Sequence, residues 1–523
     1  MRAIHAFVFA AALSCAAPAL AQPDIVALSQ SDEVAYRRAF VAADRGDANG
    51  ARAAMRHVDD DALVGTVLGR AYLKANRKGY RHVATWLERY PDLGISASVQ
   101  SRAQRIRPRR ARGVPGIREY ARRPYPNAPA PIADDSAQAR AQIARLQEQL
   151  SSGALDWRSA EYALASPRSG EAAWILGLAA FRERDYASAT RYFDQSAAWP
   201  HHWPSARAAA HYWAARARLA AGDGRGVTAH LEAASGYPPT FYGQLAELQL
   251  GRTSGLTFQS PALEAETLRA FVERYPAARR AAALAQVGRL SEVEGELRAL
   301  HAQISPRDDA TYLALAEAFE APSAQLRAAE YGGRELATGL CPTMSFAPAD
   351  GYQLDRALIY AVVRQESYFN PVAVSSSNAR GLMQLLPSTA SDMDRSRNYR
   401  RNPAALFEPS KNLQLGQSYV MWLMSQFHQD GDLGRVFAAY NGGPGWLQRW
   451  LASVGENEDP LMVLETLPRA ESRDYAERVL SHMGLCRRKF GQEPVELVAL
   501  AQGQPARYRP LDRMAMDTHA ASP

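Results

Sequence analysis

Between Asp24 and about Gln104 the apolar residues return at three- and four-residue steps, as in Val34, Tyr36, Phe40 and Val41 and again in Leu63, Val67, Leu68, Ala71 and Tyr72. That period belongs to short helices, each with one face turned to a core. It breaks over residues 105–137, where Pro108, Pro115, Pro124, Pro126, Pro129 and Pro131 exclude regular helix and predict a linker or a draped loop. It resumes beyond residue 138 and runs through to about 495. No segment longer than a few residues alternates as a strand would, and Val, Ile and Thr never cluster between turn signals, so the chain is predicted to be all-α.

Within 138–340 the helical pattern repeats. Residues 171–200 put Leu176, Gly177, Ala180, Ala189, Phe193 and Pro200 almost where a tetratricopeptide repeat carries its packing residues, with Ser196 as a small one and the proline one position early. Residues 205–238 repeat the theme less faithfully and end in Gly236-Tyr237-Pro238. A helix pair of this kind cannot bury its apolar side alone, so neighbours are expected to stack into an α-solenoid spanning 138–340.

One carboxylate sits within a hydrocarbon pattern. Leu358, Ile359, Val362 and Val363 precede Glu366 by eight, seven, four and three positions and share its helical face. Burial there disfavours the ionised form and raises the pKa, as a proton donor near neutral pH requires, and this makes Glu366 the candidate general acid. The alternative is an ordinary Glu in a last helical turn, pointing to water. Arg356, Tyr360, Arg364 and Tyr368 form a polar stripe, so the helix is expected to be amphipathic and to stop at Asn370-Pro371. Ser376-Ser377-Asn378 then reads as a turn, and Gly381 opens an apolar run interrupted by Gln384, whose amide is either a structural hydrogen-bonder or a ligand group.

Composition narrows the setting. The first 21 residues have a basic start, an apolar run from Ala6 to Leu13 and a small-x-small Ala19-Leu20-Ala21, the pattern of a secretory signal peptide. Leu13-Ser14-Cys15 faintly resembles a lipoprotein box, but the apolar stretch ahead of it is very short. No later stretch approaches the ~20 apolar residues needed to span a bilayer. Removing the leader leaves Cys341 and Cys486, which either form a disulfide in an oxidising compartment or stay free thiols. Lys and Arg number 61 against 54 acidic residues, a formal net charge of +7, with eight arginines between Arg105 and Arg123. That patch suits a polyanion or is simply a solvated loop. No aromatic or zinc-binding module accompanies it, so nucleic acid is not the expected partner. The eleven scattered histidines include no carboxylate-histidine pair at ligand spacing, so neither a metal nor another cofactor is expected.

Four short motifs occur in order: Glu366-Ser367; Gly381-Leu382-Met383-Gln384; Ala439-Tyr440-Asn441-Gly442-Gly443; and Glu471-Ser472-Arg473-Asp474-Tyr475. Together they resemble the signature of the soluble lytic murein transglycosylases of the bacterial cell wall, over about residues 345–490. The family's later solenoid helices are preceded by a segment similar to Thr240–Ala246. The resemblance implies a helical solenoid followed by a lysozyme-like catalytic domain over 341–495. By composition and spacing, 22–104 is expected as an N-terminal helical region and 496–523, rich in Ala, Pro and Gln, as a frayed tail. Asn378 stands where the family usually has glycine; Asn tolerates the left-handed region, so the turn is expected to survive.

The same resemblance implies a periplasmic enzyme acting on peptidoglycan glycan strands, with Glu366 as acid and then base. It implies that Ser375, Met383, Gln384, Tyr440, Asn441 and Tyr475 line the glycan groove, Met383 by both backbone and side chain, and that Tyr475 orients the acid. Read from the residues alone, Tyr475 is a packing ring, the commoner use of a buried aromatic. Trp446 and Trp450, four apart on one helix, are expected in the core. Two other readings stay open: a goose-type lysozyme-like hydrolase, which needs a water-activating carboxylate, and an inactive glycan binder whose solenoid gathers other cell-wall enzymes.

Overall fold

The computed structural model describes residues 25–512 except 76–78, 112, 119, 122, 428–430 and 454–458. The expected signal peptide and Cys15 lie outside the described residues. Among the described residues the regular structure is all helical, with no strand and only three isolated bridges, Val374 with Arg380, Arg380 with Leu385 and Asp432 with Arg507. No helix among the described residues is long and apolar enough to cross a membrane.

The helices divide into two compact units that do not follow chain order. The first contains the described residues up to Tyr120, together with Ala262–Gln303 and Ala314–Ala321. Residues 262–303 were expected to continue the solenoid; they pack instead with the N-terminal helices. The physical reason is a set of specific contacts. The Gln286 side chain accepts from the backbone amides of Ala27 and Leu28 and donates to the Leu28 carbonyl. Arg289 pairs with Asp44 at 3.0 Å. Gly94 lies so close to Gly295 that a Cβ on it would meet the Gly295 carbonyl carbon at 2.4 Å. Its amide donates to Glu296, buried and paired with Arg280 at 2.8 Å.

The second unit holds Ala121–Pro261, Ile304–Leu313 and the described residues from Pro322 on. Its first part is a run of helix pairs from Ala137–Ser151 to Phe241–Gln249. Leu176, Gly177, Ala180, Ala189 and Phe193 are all buried, with Gly177 pressed onto the Phe193 ring. Ser196 is small because it is enclosed; its hydroxyl donates to the Gly170 carbonyl. Ahead of these pairs, the Pro-rich segment from residue 121 carries no helix and is fastened down by Arg123 on Asp309 and by a hydrogen bond between His201 and the Ala130 carbonyl.

The C-terminal part of this unit is built around the twenty-residue helix Ala470–Lys489, which packs against both Arg356–Ser367 and Leu433–Gly442. Cys341 and Cys486 form a disulfide with their Cα atoms 5.2 Å apart, which settles the alternative left open by the sequence. Next to it the fully buried Arg487 pairs with Asp355 at 2.5 Å and Glu496 at 2.7 Å and donates to the Arg509 carbonyl.

That ion cluster corrects the expectation of a frayed tail. Val495–Ala501 is a helix with Leu497 and Leu500 buried, and the chain then runs back over the domain. Tyr508 accepts from the Asp355 amide, the Asp355 carboxylate accepts from the Leu511 amide, and Asp512 pairs with Arg356. Composition alone suggested a frayed tail; backbone polar groups satisfied by one buried ionic centre hold it down through residue 512.

Candidate active site

Glu366 lies in the last turn of its helix, and Leu358, Ile359, Val362 and Val363 on the same side are fully buried. The expected amphipathic stripe is not there, because Tyr360 and Arg364 are buried as well. Arg364 is tolerated inside because it donates to the Leu340 carbonyl at 2.6 Å and lies 3.7 Å from Glu330. The helix also ends earlier than expected. Tyr368 and Phe369 both take left-handed backbone, at φ 55° and 62°, which is costly for residues with side chains and persists only where neighbours hold it. Here the Tyr368 carbonyl accepts from Ser323 at 2.8 Å, and its hydroxyl bonds to Glu330.

Burial raises the Glu366 carboxyl to about 7, opposed by a hydrogen bond from Tyr475 and assisted by the negative charge of Glu471. Tyr475 donates its hydroxyl to Glu366 Oε1 at 2.6 Å, so its ring packs in the core while its phenol touches the acid. Burial, and then the charge of Glu366, keep that phenol protonated far into the alkaline range. Replacing Tyr475 with Phe removes the hydrogen bond that favours the carboxylate. The expected result is a higher Glu366 pKa, read by NMR titration of a ¹³C-labelled carboxyl; an unchanged value would show that the contact does not tune the acid.

The Tyr475 ring stacks on Tyr440, centroids 6.1 Å apart and planes 9° from parallel. Tyr440 in turn donates to the Met383 carbonyl at 2.8 Å. Asn441 accepts from Ser472, one turn before Tyr475, at 2.7 Å. The structure therefore ties Glu366, Tyr475, Tyr440, Asn441 and the Met383 backbone into one connected set. The Met383 side chain does not line a groove: it is fully buried, its sulfur so close to Gly416 that a Cβ there would sit 2.2 Å away.

Gln384 is at least in part structural. Its amide nitrogen donates to the carbonyls of Ala373 and Gly381, at 3.1 and 2.9 Å, pinning the preceding hairpin. Ser375 sits at the neck of that hairpin, where its hydroxyl accepts from the Ala379 amide. Asn378 takes φ 66°, as expected of an asparagine in a glycine position. Gly381 is compelled: at φ 80°, a Cβ would meet Asn412 Nδ2 at 2.3 Å.

Asn412 was missed from the sequence. It is fully buried, accepts from the Met383 amide at 2.8 Å and donates to the carbonyls of Arg380 and Leu406. A lone Asn in a helix carries no pattern; only its satisfaction on every side marks it. Trp446 and Trp450, expected in the core, are only partly buried, with Arg469 over the Trp446 ring and the Trp450 indole donating to the Ser151 carbonyl. Among the described residues no group of three or more His, Cys, Asp or Glu side chains could hold a metal ion.

Residues 343–463 match the transglycosylase SLT domain family. The soluble lytic murein transglycosylase of Salmonella typhimurium is 35% identical over 148 residues, 27% of this chain and 22% of that protein. The Escherichia coli K12 protein of the same name is 33% identical over 159 residues, 29% of this chain and 24% of that one. The matched stretch thus spans less than a quarter of these curated relatives. Among solved structures, an inactive mutant of the lytic transglycosylase Slt of Pseudomonas aeruginosa aligns with TM-score 0.53 and 19% identity, covering 88% of this chain and 74% of that one. The 70 kDa soluble lytic transglycosylase in complex with bulgecin A aligns with TM-score 0.52 and 17% identity, covering 91% and 75%. At such identity these likenesses speak for the fold, helical superhelix and lysozyme-like domain. The likeness in sequence is thus to the transglycosylase SLT domain, over residues 343–463.

Proposed function

We propose that this chain is an exported lytic transglycosylase that cleaves the β-1,4 bond between N-acetylmuramic acid and N-acetylglucosamine in peptidoglycan and closes the muramic residue into its 1,6-anhydro form. The observation that carries the reading is the setting of Glu366, a carboxyl raised by burial to about 7 and held by a phenol at 2.6 Å. Half of it is then protonated near neutral pH, the condition for an acid that must also serve as a base.

Glu366 gives its proton to the glycosidic oxygen as the bond to C1 of muramic acid breaks, with the 2-acetamido carbonyl assisting from the other side. The resulting carboxylate takes the proton of the same sugar's 6-hydroxyl as that oxygen bonds to C1. The proton returns to Glu366, no water is consumed, and a single carboxyl suffices. Tyr475 steadies the carboxylate between the two halves. Tyr440, Asn441, Ser375, the Met383 backbone and the Gln384 carbonyl oxygen are the groups proposed to hold the strand. The expected leader and the basic excess suit a periplasmic protein working on a carboxylate-bearing polymer, and the solenoid is a surface for other cell-wall enzymes.

One observation favours a second reading, a lysozyme-like hydrolase. The charge of Glu471 reaches Glu366, so a second carboxylate is within electrostatic range. Glu471 is exposed, however, in the first turn of the Tyr475 helix, and a water-activating base works best when held in place. Digestion of purified murein and mass measurement of the released muropeptides separates the two. Products lighter by one water than the hydrolytic ones are expected; free reducing ends would replace the transglycosylase with the hydrolase, and no release would leave neither.

A further inference from the structure

Four aromatic side chains lead in unbroken contact away from Glu366. Tyr475 touches the carboxylate, Tyr440 stacks on Tyr475, and Tyr419 lies 5.1 Å from Tyr440, centroid to centroid. Trp422 then stacks on Tyr419 at 5.8 Å, with the planes only 13° apart. Burial falls along the series: Tyr475 and Tyr440 are buried, Tyr419 is partly so, and Trp422 is 38% exposed.

Tyr419 and Trp422 are three positions apart on Pro409–Gln426 and therefore share a side of that helix. Leu413, Leu415, Val420 and Leu423 of the same helix are almost wholly enclosed, and Met421 and Met424 are partly buried. Single exposed hydrophobics are common and by themselves mean little. This one differs because its inner face is already occupied by a parallel ring belonging to the array that ends on the acid. Such an arrangement holds the indole rigid and presents its outer face. A flat, apolar, uncharged face next to a glycan-cleaving site suits the C–H face of a pyranose, which is apolar while its hydroxyls point outward.

We infer that Trp422 is a stacking platform for a sugar ring of the glycan strand. Trp422 stands three rings away from the carboxylate, so the sugar it meets is not the one whose C1 reacts, and the platform acts on strand binding, not on the chemical step. The inference rests on the proposed function, because that reading makes the array's inner end the place of cleavage.

The test uses the full chain carrying E366Q, which cannot turn over a strand, with chitohexaose as the probe in calorimetric titration. Adding W422A is expected to weaken binding about tenfold, the scale of one lost aromatic stacking contact, while adding W422Y keeps most of the affinity. Melting temperatures of the three proteins should agree within a few degrees, since the indole is more than one-third exposed and lies outside the enclosed core. Equal affinity in E366Q and E366Q/W422A, or no binding of the hexamer, overturns the platform. The muropeptide masses report separately: a chain that binds the hexamer through Trp422 yet releases no anhydro sugar keeps the platform and loses the proposed chemistry.

Discussion

Glu366→Gln is expected to abolish release of anhydro-muropeptides, with a fall in kcat on the order of 10³–10⁴-fold or more, because one group is asked to supply both the acid and the base. Glutamine keeps the shape and still accepts from Tyr475, so the fold should survive. Its stability should change with pH in a particular direction. A carboxyl raised from 4.5 to about 7 in the folded state binds a proton more tightly there than in the unfolded chain. Wild-type stability therefore falls as pH rises from 4.5 through 7, and the deficit is full above 7. The glutamine variant does not titrate. It should match wild type near pH 4 and exceed it at pH 8 by up to about 3 kcal/mol, the scale of a shift of this size. Undiminished turnover would remove Glu366 from the mechanism; parallel melting curves at both pH values would remove the raised acid.

Arg487→Ala should produce the largest loss of stability. The guanidinium is wholly enclosed and neutralises both Asp355 and Glu496, each buried. Removing it leaves two carboxylates without a counter-ion in a dry setting, a loss of about 3–5 kcal/mol, or a melting temperature lower by about 5 °C. The segment from Val495 to Asp512 is tied to the same centre through Arg509, Leu511 and Asp355, so it should become the first point of proteolytic attack. Differential scanning calorimetry with limited proteolysis checks both. A shift of less than 2 °C would mean that the carboxyls find other partners or take up protons cheaply.

The hydrocarbon face ahead of Glu366 was legible because a 3.6-residue period is written directly into the chain: Leu358, Ile359, Val362 and Val363 need nothing outside one helix to be assigned, whereas that helix alone left Glu366 open between a proton donor and an ordinary last-turn Glu. The partnership with Tyr475 was reached through family motifs, since nothing local says that a ring 109 residues later carries its hydroxyl to Glu366. Side-chain direction within a motif was not legible. Met383 and Gln384 are adjacent, yet one drives its thioether into the core against Gly416 and the other braces a hairpin. Nor was Arg364 readable as buried, because its partners Leu340 and Glu330 come from other elements. The same holds for residues 262–303, whose helical period is indistinguishable from a solenoid's until Gln286 and Gly295 meet Leu28 and Gly94. Tyr419 and Trp422 carry no pattern in the sequence, and only ring planes distinguish a platform from a core.

The bridge between Cys341 and Cys486 bears on how the chain matures. A polypeptide delivered amino end first presents the earlier thiol 145 positions before its mate, so oxidation must wait until nearly all of the catalytic segment has emerged. If the leader with Cys15 is removed, just one pairing is available, and no scrambled isomer can compete. The cross-link then acts as a late latch that closes over an already assembled domain, and maturation should depend on an oxidant but not on an isomerase.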